Sequence, residues 1–314
     1  MAIDVTLVCL AQNIIEIMKF HSKAIRIFTI VSFLVLVFLT GSEVFGTLNH
    51  KTEVERDTIV DPEFRLKLKR ATEKGIPLND LHVHLKGGLT EEQALSHAGK
   101  YGFTYGIAYN CGLKMGFESD DSLQTFVRNY VRPKNSYLAM QAEGREWVDV
   151  FSKETIDLFD YVFTDSMTWT NNNGKRMRLW IHEETEVGDP DDFMDQLVDR
   201  IEIILSNEPI DIYVNATYLP DEISERYDVL WTEERMDKVI EALKKNEVAM
   251  EISARYQIPS ERFIKRAKQA GVKFTFGTNN TGADDLGRLE YCLDMVEKCD
   301  LNKQDIWVPK RRMY

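Results

Sequence analysis

Cysteine is scarce in this chain, and the four copies present (Cys9, Cys111, Cys292 and Cys299) encode no disulfide framework. Cys292 and Cys299 stand seven apart on a predicted helix, two turns or about 10 Å, too far to bridge. A chain of 314 residues has enough material for a core without such staples. Runs of lysine and arginine are missing too, apart from Lys310-Arg311-Arg312. With a net charge of −12, that argues against nucleic acid or an anionic membrane as the main partner. A small-molecule, anionic substrate remains compatible, because one local site can oppose the global sign. No internal repeat, low-complexity tract or proline-rich hinge divides residues 77–300. The tryptophans, Trp147, Trp169, Trp180, Trp231 and Trp307, show no spacing suited to stacking bases or sugars.

One uninterrupted apolar block is present, at residues 27–40. Lys19, Lys23 and Arg26 precede it and Val44-Phe45-Gly46 follows, the layout of a secretory signal. Met18 makes a better start than Met1 for such a signal, so the first 17 residues are expected to be a start-site artefact. Residues 1–46 are therefore expected to be a signal peptide, with an uncleaved membrane anchor as the competing reading. The expected location is exported, periplasmic or extracellular. Residues 47–76 read as a polar linker with a lead-in helix around Pro62–Lys74.

From Pro77 onward strand-like and helical patterns alternate. Strands are expected at 78–84, 103–109, 137–142, 160–164, 210–215, 247–252 and 273–277. Helices are expected at 91–100, 120–131, 145–158, 191–206, 232–245, 260–270 and 285–298. Seven β-then-α units in series argue for an α/β fold with a parallel sheet, closed as a barrel or open. The spacing predicts one catalytic domain over 77–305 and a C-terminal tail over 306–314.

In such folds reactive residues collect at the C-terminal ends of strands. The first strand carries His82 and His84, two apart and hence on one side, a half-site for a divalent metal. Gly87-Gly88 stops that strand, and Thr90-Glu91-Glu92-Gln93 signals the start of a helix. The other ends carry Asn110-Cys111, Glu143, Asp165, Asn215, Glu251 and Asn279-Asn280, with His182 inside the long fourth connection.

Across residues 77–300 the chain resembles the PHP family, the polymerase and histidinol phosphatase-type metal-dependent phosphoesterases. Asp80-Leu81-His82-Val83-His84 matches that family's first motif, and Gly102 to Gly112 looks like its second. Later, Glu251-Ile252-Ser253, Pro259-Ser260, Ala267 to Val272 and Phe276-Gly277-Thr278-Asn279-Asn280-Thr281 keep the family's rhythm, followed by Asp284-Asp285-Leu286-Gly287. The resemblance implies a distorted (β/α)7 TIM-like barrel that hydrolyses a phosphoester through a metal-activated water. The departures fall on the chemistry. Asn110 and Cys111 replace an Asp-His pair, Asn215 replaces a His, and Asn279 and Thr281 replace a late Asp and His. Glu143 resembles the family's bridging carboxylate.

The expected metal ligands are thus His82, His84 and Glu143, with His182, Cys111, Asn215 and Asn279 as further candidates. The expected ion is zinc or manganese, with iron as another candidate, in one or two copies. Glu143, Asp165 and Arg255 are the candidate catalytic residues. Arg255 and Lys86 are also placed to hold an anion. Lys175, Arg176 and the acids beside His182 read first as exposed charges, and His97 and His50 as structural or solvated. Two alternatives stay open. The first strand is also similar to the opening of the adenosine deaminase branch of the amidohydrolases, which acts on a C–N bond. A barrel that binds a ligand without turning it over is the other.

Overall fold

The computed structural model describes residues 61–310. The expected signal or anchor, most of the linker and residues 311–314 lie outside the described residues. Among the described residues, no helix is long and apolar enough to cross a membrane.

The lead-in helix forms as α1 (Pro62–Glu73), with Asp61 as its N-cap and Pro62 in its first turn. It lays Phe64, Leu68 and Ala71 into the core. Then comes β1 (Asn79–Val83), and after it α2 (Glu91–Tyr101). The Thr90 signal read in the sequence is a full capping box: Gln93 N donates to Thr90 Oγ1 at 3.2 Å, and Thr90 N donates to Gln93 Oε1 at 2.9 Å. Next are β2 (Thr104–Gly112), the two-residue β3 (Met115–Gly116), α3 (Asp120–Asn129) and β4 (Ser136–Ala142). The helix expected over 145–158 is two single turns, α4 (Trp147–Val150) and α5 (Lys153–Ile156). Ser152 divides them, extended and capping α5 by accepting from Thr155 N. Then β5 (Tyr161–Thr164) leads into an insertion that the periodicity does not announce, the hairpin β6 (Thr168–Thr170) and β7 (Arg176–Arg178). The remainder is α6 (Pro190–Asn207), β8 (Ile212–Tyr213), the short α7 (Asp221–Ser224) and α8 (Tyr227–Leu230), α9 (Glu233–Lys245), β9 (Ala249–Ser253), α10 (Glu261–Ala270), β10 (Phe274–Gly277) and α11 (Glu290–Lys298).

All seven expected strands are present. They pair in parallel in the order β1-β2-β4-β5-β8-β9-β10, with β3 as an antiparallel addition to β2. The two ends of this sheet meet. Thr278, just past β10, donates its N–H and hydroxyl to Asp80 of β1 at 3.0 and 2.6 Å, and Asn279 N donates to His82 O at 2.9 Å. The result is a nearly closed, distorted TIM-like barrel of seven parallel strands.

The barrel interior changes character along its axis. Its lower part is a small apolar cluster of Leu81, Ala108, Ala139, Tyr161, Phe163, Ile212, Val214 and Ala249. Tyr161 crosses this space and donates to Leu81 O at 2.6 Å. That reach requires Gly106, where a Cβ would stand 1.7 Å from the Tyr161 hydroxyl. The bottom is covered by Trp307, whose ring meets Tyr161 edge-on with centroids 6.0 Å apart. Trp307 N donates to Phe274 O at 2.8 Å, so residues expected to be tail form part of the barrel floor. A larger core between sheet and helices surrounds the barrel. Above the apolar floor, the interior becomes polar, and there the strands end.

Candidate active site

The register of β1 against β2 slips between Asp80 and Val83. One extra residue in β1 lets Leu81 serve the floor while His82, its neighbour, also faces inward, against Phe163 with ring centroids 4.7 Å apart. His84 follows with its ring centroid 5.1 Å from that of His82.

His82 and Glu251 form a buried pair, each about 1% exposed, with Nδ1 and Oε1 2.7 Å apart. A carboxylate accepts only, so a neutral His82 carries its proton on Nδ1 and keeps a lone pair on Nε2. That Nε2 is buried and has no partner. The second oxygen of Glu251 accepts Asn215 N at 2.9 Å, which ties the ends of β8 and β9 together. Gly277 makes room for the pair: a Cβ there would lie 2.0 Å from Glu251 Oε1 and 2.7 Å from His82 Cβ.

His84 is held by its backbone. Its N–H donates to Asn280 Oδ1 at 2.6 Å, and Asn280 Nδ2 donates back to His84 O at 3.0 Å. Burial, and then His82, Lys86 and Arg255, push the imidazole pKa well below its ordinary value, so His84 is neutral near pH 7. Its Nε2 is likewise buried without a partner. Two imidazoles thus keep unpartnered Nε2 atoms at the mouth of the barrel. Asp80 lies beneath them. Burial raises its pKa to about 6, against the pull of the donors from Thr278 and His82.

Above the histidines is a cleft of about 210 Å³, which Glu143 and Asp165 enter from β4 and β5. Glu143 Oε1 accepts from Asn110 Nδ2 at 2.7 Å and from Gln141 Nε2 at 2.9 Å. Burial and the neighbouring Asp165 raise its pKa to about 7. Asp165 is also raised, by burial, while Met167 N and Asn215 Nδ2 donate to it at 2.9 and 3.2 Å. Lys86 and Arg255 stand at the exposed rim, and Arg255 donates to Asn279 O at 3.1 Å. A cavity of about 560 Å³ adjoins the cleft through Tyr256. It holds no histidine, so the chemistry belongs to the smaller cleft.

The fold brings together His82, His84, Glu143, Asp165, Asn215, Asn279 and Arg255. Two expected ligands are elsewhere. Cys111 follows the alternation of β2 outward with Tyr105, Ile107 and Tyr109 into the outer core, while Asn110 takes the inward place. Its thiol donates to Tyr109 O and burial raises its pKa strongly, so it is a packed apolar group. His182 belongs to a short 3-10 turn outside the cleft, 72% exposed and 2.7 Å from Glu222. Glu251 stands at a strand end in the sequence, but nothing there marks its contact with His82, 169 residues earlier.

Metal fit rests on the two orphaned Nε2 atoms, which suit an ion, and on the Glu251 carboxylate, which orients one imidazole as the outer partner of a metal ligand does. Among the described residues, no three His, Cys, Asp or Glu side chains group closely enough to hold one ion. The protein side of such a site is therefore two imidazoles, with amide oxygens, water or substrate left to complete it.

No family model matches the chain, and no curated protein matches it. Among solved structures it is similar to the crystal structure of histidinol phosphate phosphatase from Lactococcus lactis subsp. lactis, complexed with zinc, L-histidinol and phosphate. The identity is 16%, the match covers 73% of this chain and 98% of that one, and the TM-score is 0.48. At that level the likeness carries no argument about the site, and the chemistry rests on this chain's own side chains.

Proposed function

We propose that this protein is a PHP-like metal-dependent hydrolase that acts on a small phosphoester. The observation that carries the reading is the pair of buried, unpartnered imidazole Nε2 atoms, one of them oriented by Glu251. His82 and His84 would hold the ion, with Asn215 and Asn279 as weak neutral donors nearby. Zinc or manganese, when bound, supplies a Lewis acid and a water acidic enough to react near neutral pH. The side chains of this chain do the rest. Lys86 and Arg255 bind the anionic group at the rim. Glu143, half-protonated near pH 7, can give a proton to a leaving oxygen, and Asp165 can hold one taken from the attacking water.

Elemental analysis of protein purified without chelators tests this, beside a His82→Ala, His84→Ala double variant. About one equivalent of zinc, manganese or iron, lost in the double variant, supports the hydrolase. No metal after reconstitution refutes it and leaves a barrel that binds without catalysing. Release of phosphate from phosphomonoesters, against ammonia from adenosine-type amines, separates the phosphoesterase from an amidohydrolase. We also propose that the chain is exported, on the apolar block at 27–40. N-terminal sequencing of native protein tests this: a start near Thr47 supports cleavage, and an intact N-terminus overturns it.

A further inference from the structure

The side chains lining the cleft include four carboxamides, Asn110, Gln141, Asn215 and Asn279, and three of them donate to its carboxylates. Asn110 and Gln141 both spend an N–H on Glu143, and Asn215 spends one on Asp165. The Gln141 Oε1 atom is buried and accepts nothing. A buried acceptor without a donor costs about 1–3 kcal/mol, so a bound group that donates to it is favoured. The cleft therefore offers acceptors in its depth and cations at its rim. A ligand that matches both is rich in hydroxyl donors and carries an anion at one end.

The remaining wall is apolar and partly aromatic, made of Met115, Met167, Trp180 and Tyr256. Trp180, in the insertion after β7, lines the cleft while 43% exposed, an unusual exposure for an indole unless something covers it. The sequence gives no tryptophan stacking pattern because a single tryptophan, delivered by the insertion, takes this place. A flat apolar ring at the mouth of a cleft lined by planar amides suits the C–H face of a sugar ring, whose hydroxyls both donate and accept at its edge. A volume of about 210 Å³ has room for one such ring.

We infer that the non-reacting part of the ligand is a single sugar ring, stacked on Trp180 with its hydroxyls donating to the carboxamide oxygens, so that the substrate class is a monosaccharide phosphate. The phosphate half of this statement rests on the proposed function; the sugar half does not. The two are separated by measuring binding of free sugars to metal-free protein. Saturation-transfer NMR with D-glucose, D-mannose, D-galactose and D-ribose, followed by titration calorimetry, is the direct test. At least one sugar is expected to bind, about tenfold more weakly to Trp180→Ala and to Gln141→Leu. Trp180 is exposed and its loss leaves the core intact, so that variant reports on binding rather than folding. Failure of all four sugars to bind the wild type overturns the inference, as does binding that neither variant weakens. Sugar binding without cleavage of the matching phosphates by metal-loaded protein upholds the sugar site and refutes the phosphoesterase. Cleavage of phenyl phosphate with no sugar bound does the reverse.

Discussion

Replacing Glu251 by Gln changes one oxygen into an amide and barely alters volume, so its effect isolates the carboxylate. In the wild type, Oε1 accepts from His82 Nδ1 at 2.7 Å and Oε2 from Asn215 N at 2.9 Å, with both side chains of the Glu251–His82 pair about 1% exposed. A glutamine has one acceptor for these two buried donors. Either Asn215 N–H then faces an amide N–H, or His82 must move its proton to Nε2 and accept at Nδ1. A lost bond to a charged acceptor costs about 1.5–3 kcal/mol. The expected destabilisation is about 2–3 kcal/mol, which for a body of this size lowers Tm by about 4–12 °C. Thermal unfolding reads that part. Long-range ¹H–¹⁵N NMR of the metal-free protein reads the other, because protonated and unprotonated ring nitrogens have well-separated ¹⁵N shifts. The wild type is expected to show His82 protonated at Nδ1, and Glu251→Gln to show a mixture or the opposite tautomer. Zinc affinity is expected to fall about 10–100-fold. An unchanged His82 tautomer together with an unchanged zinc affinity in the variant would show that Glu251 does not orient His82, whatever happens to Tm.

Other predictions follow from the same geometry. Gly277→Ala forces a methyl to within 2.0 Å of Glu251 Oε1 and is expected to cost about 1–3 kcal/mol of stability and to impair metal binding, read by urea unfolding and zinc titration. Cys111→Ala, on the outer face of β2, is expected to leave bound metal unchanged at a cost of about 1 kcal/mol; loss of metal would restore the cysteine as a ligand. Asp80 has its pKa raised from 3.8 to about 6, so the folded state favours its protonated form. Its contribution is full below the unfolded pKa and is lost as pH rises through the folded one. Relative to Asp80→Asn, the wild type is expected to lose about 2–3 kcal/mol between pH 4 and 7, most of it between the unfolded and folded pKa values. Parallel stability–pH curves for the two proteins would refute this.

The seven strands were legible because each is a short apolar run between polar helices, and burial on both faces leaves few other ways to fold such runs. A helix start was legible where a capping residue precedes an apolar periodicity, as at Thr90. The hairpin of β6 and β7 was not, since three-residue strands in a polar loop carry no periodicity. In the site, His82 and His84 announced themselves by spacing. Cys111 misled because proximity to a strand end was weighed without parity. The alternation of Gly106, Ala108 and Asn110 against Tyr105, Ile107 and Tyr109 already assigns it to the outer face. Glu251 is different in kind: its role comes from a contact made across the barrel, and spacing along the chain carries no trace of it.

The position of Trp307 bears on how the chain folds as it is made. Tyr161 and Leu81 meet at the bottom of the barrel, yet the residue that covers them is synthesised well over a hundred positions after Tyr161. Strand β1 waits in the same way for Thr278 to reach Asp80. A nascent chain therefore carries an open seam and an unsealed floor until nearly all of the described body has emerged. Contacts of such long sequence separation are slow to form and leave apolar edges accessible meanwhile. Synthesis, on this account, is the period of greatest exposure to aggregation, and the last strand and Trp307 end it together.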